Sequence, residues 1–120
     1  MFFIMKSIYP TEYALTPEMR IIVELSIVPL GEGTSVSNIL AYAIKELEKK
    51  GVKYELTPMC TVFETDSVEE ALNIVKAAHE AVFKQGVKRT VTTVKLDDRR
   101  DAERSMRSKV DSLKKAVEKL

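Results

Sequence analysis

An α+β fold, an antiparallel sheet with helices on one face, is predicted from three observations. Residues 20–28 and 89–96 are β-branched runs that alternate sides, the period-two signature of half-buried strands. Residues 36–47 and 68–82 carry apolar side chains at three- and four-residue spacing, and a glycine follows each run. Between these helical patterns lie two short strand-like stretches joined by a turn at Pro58-Met59.

Residues 1–18 show no clear period and contain Pro10 and Pro17, so they read as an extension to a domain spanning 19–120. Met19 is an alternative start. In the first strand Ile21, Val23, Leu25 and Ile27 fall on one face, and Glu24 and Ser26 on the other. Pro29 and the Gly31-Glu32-Gly33 turn end it, and Thr34 or Ser35 is placed to cap the following helix. That helix buries Val36, Ile39, Leu40, Ala43, Ile44 and Leu47 and stops at Gly51.

Val52–Thr57 and Thr61–Thr65 are the second and third strands. Ser67 with Glu70 forms a capping box. It opens a helix with Val68, Ala71, Leu72, Val75, Ala78 and Val82 as its inner stripe, ended by Gly86. After the fourth strand and the Asp97–Asp101 charge cluster, a last helix places Met106, Val110, Leu113, Val117 and Leu120 on a narrow seam. The order strand–helix–strand–strand–helix–strand is the ferredoxin-like βαββαβ arrangement, here with an additional C-terminal helix.

Two helices cover one sheet face, which leaves the other bare. Ile22, Glu24, Ser26 and Val28 are expected on it, with Thr61, Phe63 and Thr65 from the third strand and Val91, Thr93 and Lys95 from the fourth. An apolar patch of that kind favours a homo-oligomer, formed through the sheet and helped by the last helix.

Charge narrows the partners. With 19 basic and 18 acidic residues there is no basic excess of the kind that holds phosphate backbones, so nucleic acid is not expected. No apolar run approaches the ~20 residues of a membrane span, and the short apolar start lacks a basic lead, so a cytoplasmic protein with no membrane partner is the expectation. The lone Cys60 allows neither an internal disulfide nor a thiolate-based zinc site.

No catalytic constellation is visible, and no cofactor or metal is called for. Cys60 has no adjacent cation and reads as a small apolar residue. His79, beside the inner stripe of the second helix, is read first as a packed histidine with one nitrogen bonded, and second as a ligand contact. Asp97, Asp98 and Asp101 are interleaved with Arg99 and Arg100, which makes ion pairs a better reading than a metal site. Gly31-Glu32-Gly33 before a helix is a weak echo of a phosphate cradle. In this topology Ser26, Thr34, Ser35, Ser37 and Thr57 share one end of the sheet, a set of hydroxyls beside an apolar core that suits a heterocycle.

The stretches ELSIVPLGEGTSVS, GVKYELTPM, TVFE and KAAHEAVFKQGVKRTVTTVKLDDRRD together resemble the small thiamine-binding protein family, from Met19 to about Val117. The resemblance implies a ferredoxin-like subunit that pairs through its sheet, assembles as a dimer of dimers, and binds thiamine or its hydroxymethylpyrimidine precursor as a ligand without catalysis. Two departures stand out: Cys60 where the family usually has glycine, and the extension. A thiamine site needs hydroxyls for the pyrimidine edge, for which Ser26, Thr34, Ser35 and Thr57 are candidates. It also needs an acid or an aromatic wall for the cationic ring, for which Glu24, Glu64, Tyr54 and Phe63 are candidates. The alternative reading is a regulatory or scaffold domain that senses another small ligand at a subunit interface.

Overall fold

The computed structural model describes residues 21–101 and 105–120; the extension 1–18 lies outside the described residues. The elements are β1 (Ile21–Leu30), α1 (Ser37–Lys50), β2 (Tyr54–Leu56), β3 (Thr61–Thr65), α2 (Val68–Phe83), β4 (Arg89–Asp98) and α3 (Met106–Glu118). The sheet has the order β2-β3-β1-β4, with every neighbouring pair antiparallel. This is the ferredoxin-like arrangement plus a C-terminal helix that the sequence predicts.

Ile21, Val23 and Leu25 point to one side of β1 and pack with Ala43 and Leu47 of α1 and with Ala71, Ile74, Ala78 and Val82 of α2. Burying a large aliphatic or aromatic side chain stabilises by roughly 1.5–3 kcal/mol, so this layer carries the fold. The inner stripe of α2 differs from expectation in one member: Ile74 is buried and Leu72 is exposed. Ile74 follows Ala71 by three residues and precedes Ala78 by four, whereas Leu72 sits one residue round the helix, toward solvent.

The phase of β3 also differs from expectation. Register pairs Val23 with Phe63, Ile21 with Thr65 and Leu25 with Thr61, which puts all three β3 residues on the helix-covered side. Phe63 is fully buried there, so it is core and not part of the bare face. The open face carries Val62 and Glu64 instead, beside Ile22, Glu24 and Val28 of β1 and Val91, Thr93 and Lys95 of β4. The segment Thr61-Val62-Phe63-Glu64-Thr65 alternates equally well in either phase. The aromatic ring breaks the tie, because it removes the most apolar area from water when it faces the core.

The cap of α1 is a third correction. Val36 occupies the N-cap position with no side-chain cap bond, so neither Thr34 nor Ser35 caps the helix. Gly31 and Gly33 both adopt positive φ in the preceding loop, and the helix starts one residue later than a Ser35 cap requires. Of the capping box expected at α2 the Ser67 half is present, its hydroxyl accepting from Glu70 N at 3.1 Å.

Pro29 lies inside β1, which runs to Leu30 and not to Val28. Pairing with β3 ends at Leu25, while pairing with β4 continues to Leu30. A proline is tolerated where a strand has a neighbour on one side only. That overrun of β1 past β3 sets up the site.

Candidate functional site

A cleft of about 690 Å³ opens where β1 outruns β3. Its walls are β1 from Leu25 to Val28, whose β3-side edge is free beyond Leu25, one side of α1, and the β2–β3 turn from Leu56 to Thr61. Leu25, Ile27, Leu40, Ile44, Leu47 and Leu56 make most of the surface apolar. Ser37, Lys45, Glu48, Thr57 and Cys60 supply the polar groups. Size and lining match a site for a small heterocycle.

The turn is built by one hydroxyl. Thr57 Oγ1 accepts from Met59 N at 3.3 Å and Cys60 N at 3.0 Å, and donates to Cys60 O at 2.8 Å. A threonine hydroxyl has one donor and two acceptor lone pairs, so this network uses all of them. Thr57 shapes the wall of the cleft and has nothing left for a ligand. Cys60 Sγ sits 3.5 Å from the same oxygen.

Behind the cleft wall, Tyr54 OH donates to Glu48 Oε2 at 2.9 Å, a bond from β2 to α1. Lys45 Nζ lies 3.1 Å from Glu48 Oε1, one helical turn away. The tyrosine bond first, and the lysine second, hold the Glu48 carboxyl below its ordinary value, so it is charged at neutral pH. Burial, followed by the bond to Glu48, pushes the Tyr54 phenol up to about 12, so it remains a donor.

The sequence candidates separate in space. Ser26 and Thr57 line the cleft. By strand parity the Ser26 side chain belongs to the open face, at the edge where the cleft begins. Thr34 and Ser35 are exposed in the loop before α1 and do not line the cleft, although the next residues, Val36 and Ser37, do. Glu24 is on the open face, 3.8 Å from Lys95 Nζ. His79 Nδ1 is 2.7 Å from Thr92 Oγ1 on β4, its ring edge-on to Phe83, so it packs as a bonded histidine away from the cleft.

Glu64 is elsewhere too. It is buried on the open side of β3, beside Lys53 at 3.7 Å, and accepts from the backbone N–H of Met106 at the start of α3. Burial raises its carboxyl above the ordinary value, outweighing the Met106 N–H and Lys53, which pull the other way. These two residues border a smaller cavity of about 300 Å³ with Asp66 and Glu70. The Asp97–Asp101 cluster forms ion pairs, Arg99 with Asp101 at 2.7 Å and Arg100 with Asp98 at 2.9 Å.

Sequence reasoning missed Glu48. Its i,i+3 spacing from Lys45 is that of any solvated helix pair, and only the strand tyrosine, brought in by the fold, marks it out.

The thiamine-binding protein family matches residues 23–114. The chain belongs to that family. It is 46% identical over 95 residues to a UPF0045 protein of Methanothermobacter thermautotrophicus, covering 78% of this chain and 96% of that one. A Staphylococcus xylosus UPF0045 protein is 41% identical over 103 residues, covering 82% and 92%. Among solved structures, a hypothetical protein of Methanocaldococcus jannaschii superposes with a TM-score of 0.72 at 38% identity, covering 79% and 97%. A Thermotoga maritima protein, provisionally assigned to thiamine biosynthesis or salvage, superposes with a TM-score of 0.65 at 26% identity, covering 78% and 97%. Membership and shared fold place this chain with thiamine-binding proteins, and no helix among the described residues is long and apolar enough to cross a membrane.

Proposed function

We propose that this protein binds thiamine or its hydroxymethylpyrimidine half in the cleft between β1, α1 and the β2–β3 turn, and performs no chemistry on it. The observation that carries the reading is the open edge of β1 over an apolar cleft, in a chain of the thiamine-binding family. An aminopyrimidine presents adjacent donor and acceptor positions, and an unpaired strand edge presents main-chain N–H and C=O groups at matching spacing. The apolar walls remove the ring from water. Ser37, at the first turn of α1, adds a hydroxyl and the free N–H groups of an uncapped helix start.

A non-catalytic role fits the placement of the reactive side chains. Cys60 is on the β2–β3 turn, and His79 is held against β4 at the other edge of the sheet. No acid–base or nucleophile–base pair forms between them, as catalysis by either would require.

The molecule works as a homo-oligomer in this reading, a dimer of dimers in the cytoplasm. Two separate surfaces support it: the open sheet face, where Val28 and Val91 are exposed, and α3 with the residues just after it, where Val110, Leu113, Val117 and Leu120 are exposed. A dimer of dimers needs two distinct contacts.

Titration calorimetry of the full chain with thiamine tests the site. Saturable binding is expected, and Ala41→Trp, an exposed helix position on the cleft wall, should abolish it while leaving the melting curve in place. Binding undisturbed by the tryptophan would move the site out of the cleft. No binding of thiamine or hydroxymethylpyrimidine by the parent chain would overturn the function and leave a sensor of another ligand as the reading.

A further inference from the structure

Thiamine differs from its pyrimidine half by a whole second ring, a thiazolium with a hydroxyethyl tail, and that ring carries a permanent positive charge that a carboxylate can read. The cleft wall holds one acid and one base, Glu48 and Lys45, and they are anchored unequally. Glu48 is bonded by Tyr54 OH from β2, a residue whose own backbone is held in the sheet opposite Phe63. Among the described residues Lys45 is paired with Glu48 alone, with its side chain 71% exposed against 46% for the acid. An exposed pair of this kind is worth roughly 0–1 kcal/mol, so the ammonium swings into water at little cost when a competitor arrives. The carboxylate stays behind, because the Tyr54 hydroxyl holds it from the sheet.

Glu48 also has capacity to spare. A carboxylate offers about four lone-pair positions, and Tyr54 and Lys45 occupy two of them. Displacing Lys45 leaves an uncompensated negative charge at the solvated margin of a largely apolar cleft, where it attracts a cationic ring and offers nothing comparable to a neutral one.

We propose that Glu48, positioned by Tyr54, is the specificity-determining residue of the cleft and selects a ligand whose heterocycle carries a permanent positive charge over its neutral counterpart. The selection rests on the binding role proposed above. Lys45 then acts as a resident counter-cation that the ligand displaces.

The test is the ratio of affinities for thiamine and hydroxymethylpyrimidine, measured by calorimetry on the full chain. In Glu48→Gln the ratio is expected to fall about tenfold, the loss of one charge-assisted contact. Tyr54→Phe keeps the charge but frees it, and should lower the ratio by a smaller factor. Lys45→Met removes the competitor and should raise it. Circular dichroism checks that each variant is folded, which the exposed positions of Glu48 and Lys45 favour. A ratio unchanged in Glu48→Gln, or lowered in Lys45→Met, overturns the selectivity while leaving thiamine binding in place. A parent chain that binds neither compound overturns the binding role itself, and the selectivity with it.

Discussion

The two faces of the sheet hold their charged groups in opposite ways. On the helix-covered side Glu48 sits at the margin of the cleft, solvated, with its hydrogen bonds favouring the charged form. On the open side Glu64 is buried with Lys53, and desolvation favours its neutral form. The first arrangement leaves a carboxylate available to a ligand. The second spends one on structure, where it ties the first turn of α3 to the sheet through Met106. The contrast teaches that a perturbed carboxyl is no guide to a binding site until its exposure and partners are known.

The largest effect is expected from breaking the buried pair. Lys53→Met leaves a buried Glu64 without its cation, which should cost about 3 kcal/mol at neutral pH by urea unfolding. Much of that loss should return on acidification, because Glu64 then takes up a proton. A variant as stable as the parent at pH 7 would mean that Glu64 is already neutral there.

The carboxyls themselves give a smaller contrast of opposite sign. Glu64 has a folded value above the ordinary 4.5, so its contribution is complete below that pH and is lost as pH rises through the folded value. Glu64→Gln should therefore gain on the parent chain as pH rises. Glu48 has a folded value below 4.5, so its contribution is present above that pH and is lost as pH falls through the folded value. Glu48→Gln should trail the parent at neutral pH and converge with it in acid. Urea midpoints measured from about pH 3, below the ordinary carboxyl range, to about pH 8, above neutrality, separate the two slopes. Parallel slopes would remove the distinction between the faces.

The smallest effect on the fold is expected in α3. Met106 is its one buried residue among those described, and Leu113 on the seam is exposed. Leu113→Glu should change monomer stability by no more than about 0.5 kcal/mol. Sedimentation should nevertheless show a smaller assembly if the seam is a subunit contact. An unchanged sedimentation coefficient would assign assembly to the sheet face alone.

Much of this architecture is legible in the residues. The alternation of Ile21, Val23 and Leu25, the Ser67 cap and the β-branched run from Arg89 each state a local preference that the fold keeps. Where local preference was evenly balanced, the reading failed. The segment from Thr61 to Thr65 has no preferred face of its own, and α1 lacked its expected cap.

The candidate site was less legible than the fold. Ser26 and Thr57 border the cleft, the first with its side chain toward the open face and the second with its hydroxyl spent on the turn, whereas Glu24, Glu64 and His79 belong to the open face or to α2. Parity and spacing act over a few residues, so the sequence by itself determined the elements, their order and most of their inner faces. The meeting of Tyr54 with Glu48, the overrun of β1 beyond β3 and the burial of Glu64 beneath α3 were decided by tertiary structure alone. Each depends on strand lengths and on contacts between separate elements, and no periodicity within one element encodes them.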